Sequence, residues 1–357
     1  MPQIIRVATF NVENLFSRAK IINLRDHSVA TDALTKVAEL DKLLRQDPYT
    51  PADKAAIVAL YDELKTYISI REDREKLFNQ AKTKVLASGA SAWDGVIEFR
   101  RAKFSEAARL ATAKVIKTVK ADIAFIIEAE DRVALREFNS ELLGTRKFKF
   151  PMLIDGNDQR GIDVGVLTNF PLKTIHTHMF EKSGNTPTFP RDCLHLEVEL
   201  PNGQPLHLFA NHFTSKSQGV SSTDPKRERQ AKRVAEILDA YDLNNDFVIV
   251  AGDLNDTPNR SPLQPLIARP GLSDVLDLQF GANTASRWTY FYQTAEQIDY
   301  LLVSKPLKAA FLKAGIERRG IFDLATKSGG TETSWPEVTS NSDAASDHGA
   351  IWAEFSL

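Results

Sequence analysis

Short runs of Val, Ile, Leu and Phe, broken by Gly, Pro, Asn or Asp, recur along most of the chain and predict β-strands. They lie at Arg6 to Val12, Ile123 to Ile127, Ile162 to Leu167, Cys193 to Leu200, Leu206 to Phe213, Phe247 to Ala251, Gln297 to Val303 and Ala350 to Phe355. Few are separated by a convincing helix, so a simple βαβ alternation is not supported. The pattern predicts an α/β (α+β) fold of mixed, mostly antiparallel sheets with flanking helices. Between about residues 20 and 113 the period changes. Leu34, Val37, Leu40 and Leu44 recur at helical spacing, and Ile57, Leu60, Leu64 and Ile68 mark a second apolar stripe. Thr50-Pro51-Ala52-Asp53 reads as a capping box with proline at the first helical position. Gly89 and Gly95 bracket a loop before another helix, from about Ser105 to Lys120. With almost no strand signal, residues 20–113 read as a helical insertion within a single domain spanning residues 1–357. The Ser-, Thr-, Gly- and Asp-rich stretch from Thr326 to Ser346 reads as a long surface loop.

Composition narrows the class without deciding it. An apolar content of 43% and a charged content of 26% are those of an ordinary globular protein. A length of 357 residues suits one large α/β domain or two average ones. The net charge of −2 gives no global attraction to nucleic acid, so any basic binding surface has to be local. One cysteine, Cys193, excludes an intrachain disulfide framework and a multi-thiolate metal site. It opens an alternating strand and reads as a small buried hydrophobe. The N-terminus lacks the apolar core of a signal peptide, and no run is long enough to span a bilayer. The expectation is a cytoplasmic protein with no membrane insertion.

The sharpest local feature is Val248-Ile249-Val250-Ala251-Gly252-Asp253-Leu254-Asn255-Asp256, a β-rich apolar run that stops in acids and an amide. Such a strand delivers polar side chains to the rim of a sheet. The motif repeats: Asn11 and Glu13 follow Arg6 to Phe10, Glu128 follows Ile123 to Ile127, Asn211 and His212 follow Leu206 to Ala210, and Asp347 and His348 precede Ala350. Each alone is more often a turn, cap or hydrogen-bonded structural residue. The repetition is what points to a site. Asp299, between Ile298 and Tyr300 in an apolar strand, is the clearest single case, because a buried acid needs a charged partner. Hard oxygen donors with few histidines favour Mg²⁺, Mn²⁺ or Ca²⁺ over Zn²⁺. An EF-hand is excluded: counted from Asp253, position six is Pro258 and position twelve is Gln264. Neither H-E-x-x-H, Walker A, a dinucleotide glycine fingerprint nor a G-x-S-x-G elbow is present.

Taken in order, Thr9 to Leu15, Ala121 to Glu128, Arg160-Gly161-Ile162-Asp163-Val164, Asn211-His212-Phe213-Thr214-Ser215-Lys216, Gly252 to Asp256, Gln297-Ile298-Asp299-Tyr300 and Ser346-Asp347-His348 resemble the endonuclease/exonuclease/phosphatase superfamily, the DNase I-like or exonuclease III-like fold. The resemblance covers nearly the whole chain apart from about Lys20 to Ala113. It implies a four-layer α/β sandwich, two sheets packed face to face and flanked by helices. It also implies divalent-metal-dependent hydrolysis of phosphate esters, with Mg²⁺ or Mn²⁺ as the ion and Ca²⁺ as an option. Glu128 matches the main metal ligand, with Glu13 and Asp347 as further ligand candidates. Asp253 matches the acid that activates water, Asn255 and His212 the groups that bind the scissile phosphate, and His348 the phosphate-facing histidine oriented by Asp299. Asn11, Asn211, Arg160 and Lys216 are candidate substrate-binding residues. The chain departs from the pattern at Glu13, where several nuclease relatives carry Asp, and at Ile127, where Gln is common.

The implied substrate is DNA or RNA, with inositol or lipid phosphates as the alternative. A non-catalytic binding module on the same fold would be a third reading, against which the intact set of site residues argues. Lys226, Arg227, Arg229, Lys232 and Arg233 crowd one predicted helix, and Arg100, Arg101 and Lys103 lie near the end of the insertion. Such runs either track phosphates or form a solvated face. The insertion leaves after Glu13 and returns before Glu128. It is therefore expected to border the cleft, although a solubilising or dimerising appendage accounts for the same pattern. No protein partner is implied, and the oligomeric state is left open.

Overall fold

In the computed structural model, residues 3–15, 27–100, 106–158, 161–216 and 219–357 are described. The chain forms two compact units, Met1–Phe16 with Ser105–Leu357, and Ser17–Phe104.

The larger unit is built on two six-stranded sheets. In chain order the strands of these two sheets are β1 (Ile4–Leu15), β2 (Ile123–Ala129), β3 (Phe150–Leu153), β4 (Asp163–Thr168), β5 (Leu172–His176), β6 (Cys193–Glu199), β7 (Pro205–His212), β8 (Phe247–Asp253), β9 (Leu272–Asp274), β10 (Asp299–Ser304), β11 (Phe311–Glu317) and β12 (Ala350–Ser356). The first sheet runs β11-β12-β1-β2-β4-β3 and the second β9-β10-β8-β7-β6-β5. Each holds one parallel pair, β1 with β2 and β7 with β8, among antiparallel neighbours.

Side chains alternate across a strand, so the central strands feed two apolar layers. Val7, Phe125, Ile127 and Val164 of the first sheet pack with Leu194, Leu208, Ile249 and Leu301 of the second, forming the core between the sheets. The opposite parity faces outward. Ala124 and Ile126 meet Val115 and Ile116 of helix α1 (Glu106–Val119) and Leu135 and Phe138 of helix α2 (Arg132–Leu142). Val248 and Val250 meet Ala231 and Val234 of helix α3 (Val220–Ile237). The order helix, sheet, sheet, helix is the four-layer sandwich expected from the sequence, and its sheets are mixed and mostly antiparallel.

Four strands of the sandwich, β3, β5, β9 and β11, had no sequence signal strong enough to predict them. They are short or carry exposed faces, as in Leu172–His176, where four of five residues are exposed. The stretch after Thr326 is less open than its composition implies, because Trp335 and Val338 are buried in the outer core against α1.

The smaller unit contains two helices, His27–Leu44 and Pro51–Leu64. The capping box at Thr50 and Asp53 forms as the sequence predicts, with Pro51 at the helix start. Leu40, Ile57, Tyr61 and Leu64 pack into its core. Ile68 does not extend the helical stripe. It opens a strand, Ile68–Glu72, paired antiparallel with Gly95–Phe99. The unit is therefore not purely helical: Lys65 closes the helix and β-branched Ile68 and Ile70 fit a half-buried strand. The third helix predicted for this region, α1, belongs to the larger unit. Among the described residues no helix is long and apolar enough to cross a membrane.

His195 on β6 stacks on Phe209, with ring centroids 4.2 Å apart and 11° between planes, and its Nε2 lies 3.2 Å from Tyr241 Oη. Burial, with the nearby His207, His178 and His176, lowers its pKa to about 4. The folded state thus binds its proton less readily than the unfolded chain. Stability from this group is flat above about pH 6.5, falls as pH drops from there to about 4, and loses up to about 3 kcal/mol. Urea unfolding at pH 7 and pH 4.5 should show a smaller acid loss for His195→Phe than for the native chain. Equal losses would refute the assignment.

Candidate active site

Strand alternation builds the site. Val7 on β1, Leu208 and Ala210 on β7, Ile249 and Ala251 on β8, and Leu301 and Val303 on β10 all face the core between the sheets. Continuing the same parity to the strand ends gives Asn11, His212, Asp253 and Asp299. All four are buried. The apolar layer therefore ends in a polar one, drawn from both sheets.

The strand ends depart from regular pleating. The β2 register shifts between Ile127 and Ala129, and Glu128 between them has φ 70°. Glu13, with φ 47°, follows Asn11 where β1 loses register with β2, and Asn255 has φ 55°. Non-glycine residues in this left-handed region are uncommon, and such strain clusters where a side chain must be re-aimed. Gly252, with φ 135°, has the Asn211 carbonyl oxygen 1.9 Å from where a Cβ would stand.

The polar side chains form one connected set. Asn11 Nδ2 donates to Glu128 Oε1 at 3.3 Å and to Asp253 Oδ2 at 3.2 Å, while its Oδ1 accepts the Glu13 N–H at 3.0 Å. Asn255 donates its own N–H to Asp253 Oδ1 at 2.8 Å, and its amide Nδ2 to Asp253 Oδ2 at 3.1 Å and to the Phe213 carbonyl at 3.1 Å. His212 Nε2 stands 3.6 Å from Asp253 Oδ2 and 3.7 Å from Glu128 Oε1. Asp253 and Asp299 are opposite each other in the β8–β10 register. Asp299 Oδ2 lies 2.8 Å from His348 Nδ1. Ser346 Oγ donates to the Asn11 carbonyl at 2.7 Å and accepts the His348 N–H at 3.0 Å, and the Asp347 N–H donates to Glu13 Oε2 at 3.0 Å.

Burial sets the electrostatics. It raises the Glu128 and Asp253 carboxyls above the usual range, Asp253 further through Asp299. Burial and then Asp347 lift Glu13 to about 7. Burial acts against a charged His348, but Asp299 and Asp347 outweigh it and hold the imidazole well above its ordinary value. Five carboxyl groups, those of Glu13, Glu128, Asp253, Asp299 and Asp347, thus crowd one cluster around the His348 imidazole. Asp299 Oδ1 is also buried, with no hydrogen-bond donor among the described residues. Asp253, Asp299 and His348 place one ligand-type atom each within 4.8 Å of one another. An excess of buried carboxylate oxygen over fixed positive charge fits a hard divalent cation.

Of the residues singled out in the sequence, the structure brings Asn11, Glu13, Glu128, His212, Asp253, Asn255, Asp299, Asp347 and His348 together. Asn211 is not among them. It is buried, but one step of strand parity turns it to the outer face, where its amide donates to the Phe209 carbonyl at 3.2 Å. Lys216 forms an ion pair with Glu296 at 2.7 Å. Arg160 lies outside the described residues, as do Arg101 and Lys103 of the second basic run. The basic helix is not a free cationic face. Arg227 is fully buried, Arg233 pairs with Glu181 and Glu236, and Lys232 pairs with Glu228.

Two neighbours were not singled out. Tyr290 bridges His348 through the backbone, its ring centroid 4.8 Å from the imidazole. Thr289 Oγ1 accepts the N–H groups of Ile298 and Asp299 at 3.2 and 3.1 Å, and its carbonyl accepts the Gly349 N–H at 2.7 Å. A Thr-Tyr pair carries no periodic or charge signal that would have marked it. Because Gly252 leaves no room for a side chain, Gly252→Ala should cost about 2–4 kcal/mol. A variant with the native melting temperature in calorimetry would contradict this.

Comparisons with known proteins agree with the fold. A profile described as the Endonuclease/Exonuclease/phosphatase family matches residues 75–308, more than half of the chain. No curated protein matches the sequence. Among solved structures, an endonuclease/exonuclease/phosphatase family protein from Bacteroides thetaiotaomicron is similar, with 13% identity and a TM-score of 0.53, over 99% of this chain and 95% of that one. TDP2 of D. rerio, complexed with a single strand DNA product, is similar with 16% identity and a TM-score of 0.51, over 72% of this chain and 94% of that one. The B. vulgatus endonuclease/exonuclease/phosphatase gives 13% identity and a TM-score of 0.51, over 71% of this chain and 91% of that one. At these identities the structures speak for the fold alone; the profile match over more than half of the chain shows that it belongs to the endonuclease/exonuclease/phosphatase family.

Proposed function

We propose that this chain is a divalent-metal-dependent phosphodiesterase acting on nucleic acid, in which a water activated within the buried polar cluster attacks phosphorus in line. The observation that carries this reading is the convergence of Asn11, Glu128, His212, Asp253, Asn255, Asp299 and His348 at the end of the core between the two sheets. Asp253 is the water-orienting base. The N–H and amide of Asn255 and the amide of Asn11 fix both of its oxygens, and its raised pKa suits proton abstraction. His212 donates toward the phosphate, and Asn255, whose amide hydrogens go to Asp253 and the Phe213 carbonyl, holds the base in place. His348, held cationic by Asp299, faces the charge that grows on the non-bridging oxygens. Glu128, with Glu13 and Asp347, would hold the ion, Mg²⁺ or Mn²⁺ being the first choices for oxygen ligands. When bound, the cation would supply Lewis-acid stabilisation of the phosphoryl oxygens.

Nucleic acid as the substrate is supported by family membership and by the DNA product held in the D. rerio relative of the same fold. The charges on α3 add little, because most are paired or buried. Taken as one catalytic domain, the chain carries residues 17–104 as an insertion between β1 and β2 of a single sheet.

The deciding assay is purified protein with Mg²⁺ or Mn²⁺ against plasmid, single-stranded DNA, RNA and inositol phosphates. Cleavage of a nucleic acid is expected, with loss in EDTA and a fall of about 10²–10³ for His348→Ala and about 10²–10⁴ for Asp253→Asn. Turnover confined to small phosphate esters would move the assignment to inositol or lipid phosphates. Binding without hydrolysis, unchanged by Asp253→Ala, would overturn catalysis altogether.

A further inference from the structure

Arg227 sits in the run of basic residues on α3, yet it is fully buried. Its guanidinium reaches the two segments that leave the ends of β7 and β8. Nη1 donates to the Thr214 carbonyl at 3.0 Å and to Thr223 Oγ1 at 3.0 Å, and Nε donates to Asp256 Oδ2 at 3.1 Å. Nη2 pairs with Asp224. One turn further along the same helix, Gln230 Oε1 accepts the Thr214 N–H at 3.0 Å. Residues three apart share a helix face, so a single face grips both backbone groups of Thr214.

The anchored positions are two residues past His212 and one residue past Asn255. Arg260 pairs with Asp224 and lies 3.4 Å from Asp256, closing a ring of two arginines and two aspartates. Tyr300 Oη, next in sequence to Asp299, donates to the Asp256 carbonyl at 2.8 Å.

Burying a guanidinium costs several kcal/mol, and an apolar residue of the same size is often as stabilising. What the arginine fork adds is direction, because its planar donors fix several acceptors at once. That direction is needed here. β7 and β8 pair in register up to His212 opposite Asp253. Past that point the regular ladder stops, and the segments are joined by the Phe213 N–H to the Asp253 carbonyl at 2.9 Å and by Asn255 Nδ2 to the Phe213 carbonyl at 3.1 Å.

We propose that Arg227, with Gln230, is a positioning residue that locks the Phe213–Thr214 and Asn255–Asp256 segments together, so that His212 and the Asn255-held Asp253 address one phosphate. This rests on the phosphodiesterase reading above, and its test separates the two. Arg227→Lys keeps the charge and loses the fork, whereas Gln230→Met removes only the acceptor for Thr214. Each should lower kcat per folded molecule, by about 10- to 100-fold for Arg227→Lys and less for Gln230→Met, with KM within about threefold. A crystal structure of each variant should show the Asn255–Phe213 hydrogen bond broken. If Arg227→Lys does not fold, Gln230→Met carries the test. A lowered melting temperature with native kcat would make the ring purely structural and overturn the proposal. If the native chain cleaves no phosphate ester, the phosphodiesterase reading fails. The variant crystal structures still decide the positioning, and segments unmoved from their native places would overturn it.

Discussion

Asp253 and Asp299 face each other across paired strands, both buried, and two carboxylates in that position repel unless positive charge stands close. The imidazole of His348 meets this demand from the Asp299 side. The amides of Asn11 and Asn255 spread the remaining charge of Asp253 over donors that cannot leave. The other features of the site follow from this concentration of negative charge in a dry place. Burial first, and then the neighbouring Asp347, raises Glu13 and Glu128, and the site is left with more carboxylate oxygens than fixed cations. The sandwich supplies the dryness. Its inner rows of Val, Leu, Ile, Phe and Ala run up to the polar layer, interrupted on β1 by the buried Thr9, so the carboxylates rest largely on hydrocarbon.

Regular strands could not deliver all of these groups. Alternation alone brings Asn11, His212, Asp253 and Asp299 inward. Glu128 would point to the helices if β2 stayed regular, since Ile127 already faces the inner core. The bulge and positive φ at Glu128 undo that. Glu13 and Asn255 also take left-handed conformations at two further strand ends. The sheets thus give position, and a few strained residues give aim.

This division explains how much could be read in the sequence. The polar termini of apolar runs were visible because both the run and its interruption are local, and the ordered motifs gave the family and the layered fold. Asn211 misled because adjacent residues on a strand share a motif but not a face. Arg227 misled in the opposite direction: charge is local information, whereas burial depends on Thr214 and Asp256, far away in the chain. Strands such as Phe311–Glu317 were silent because their pairing to β12, rather than their composition, makes them strands. Ile68 read as helix because one apolar residue fits either period.

The pairing of β1 carries a consequence in time. β1 lies between β2 and β12, with Ile4 opposite Ser356, and Ser346 ties the Asn11 carbonyl to His348. Synthesis runs from the N-terminus, so β1 waits for a partner separated from it by almost the whole chain. Contacts this distant close late in folding. Until they do, Asn11 and Glu13 have no His348 or Asp347 beside them, and Asp299 lacks the imidazole that pairs with it. A chain still being synthesised therefore holds only part of the polar cluster, and the cluster closes once Ala350–Ser356 pairs with β1.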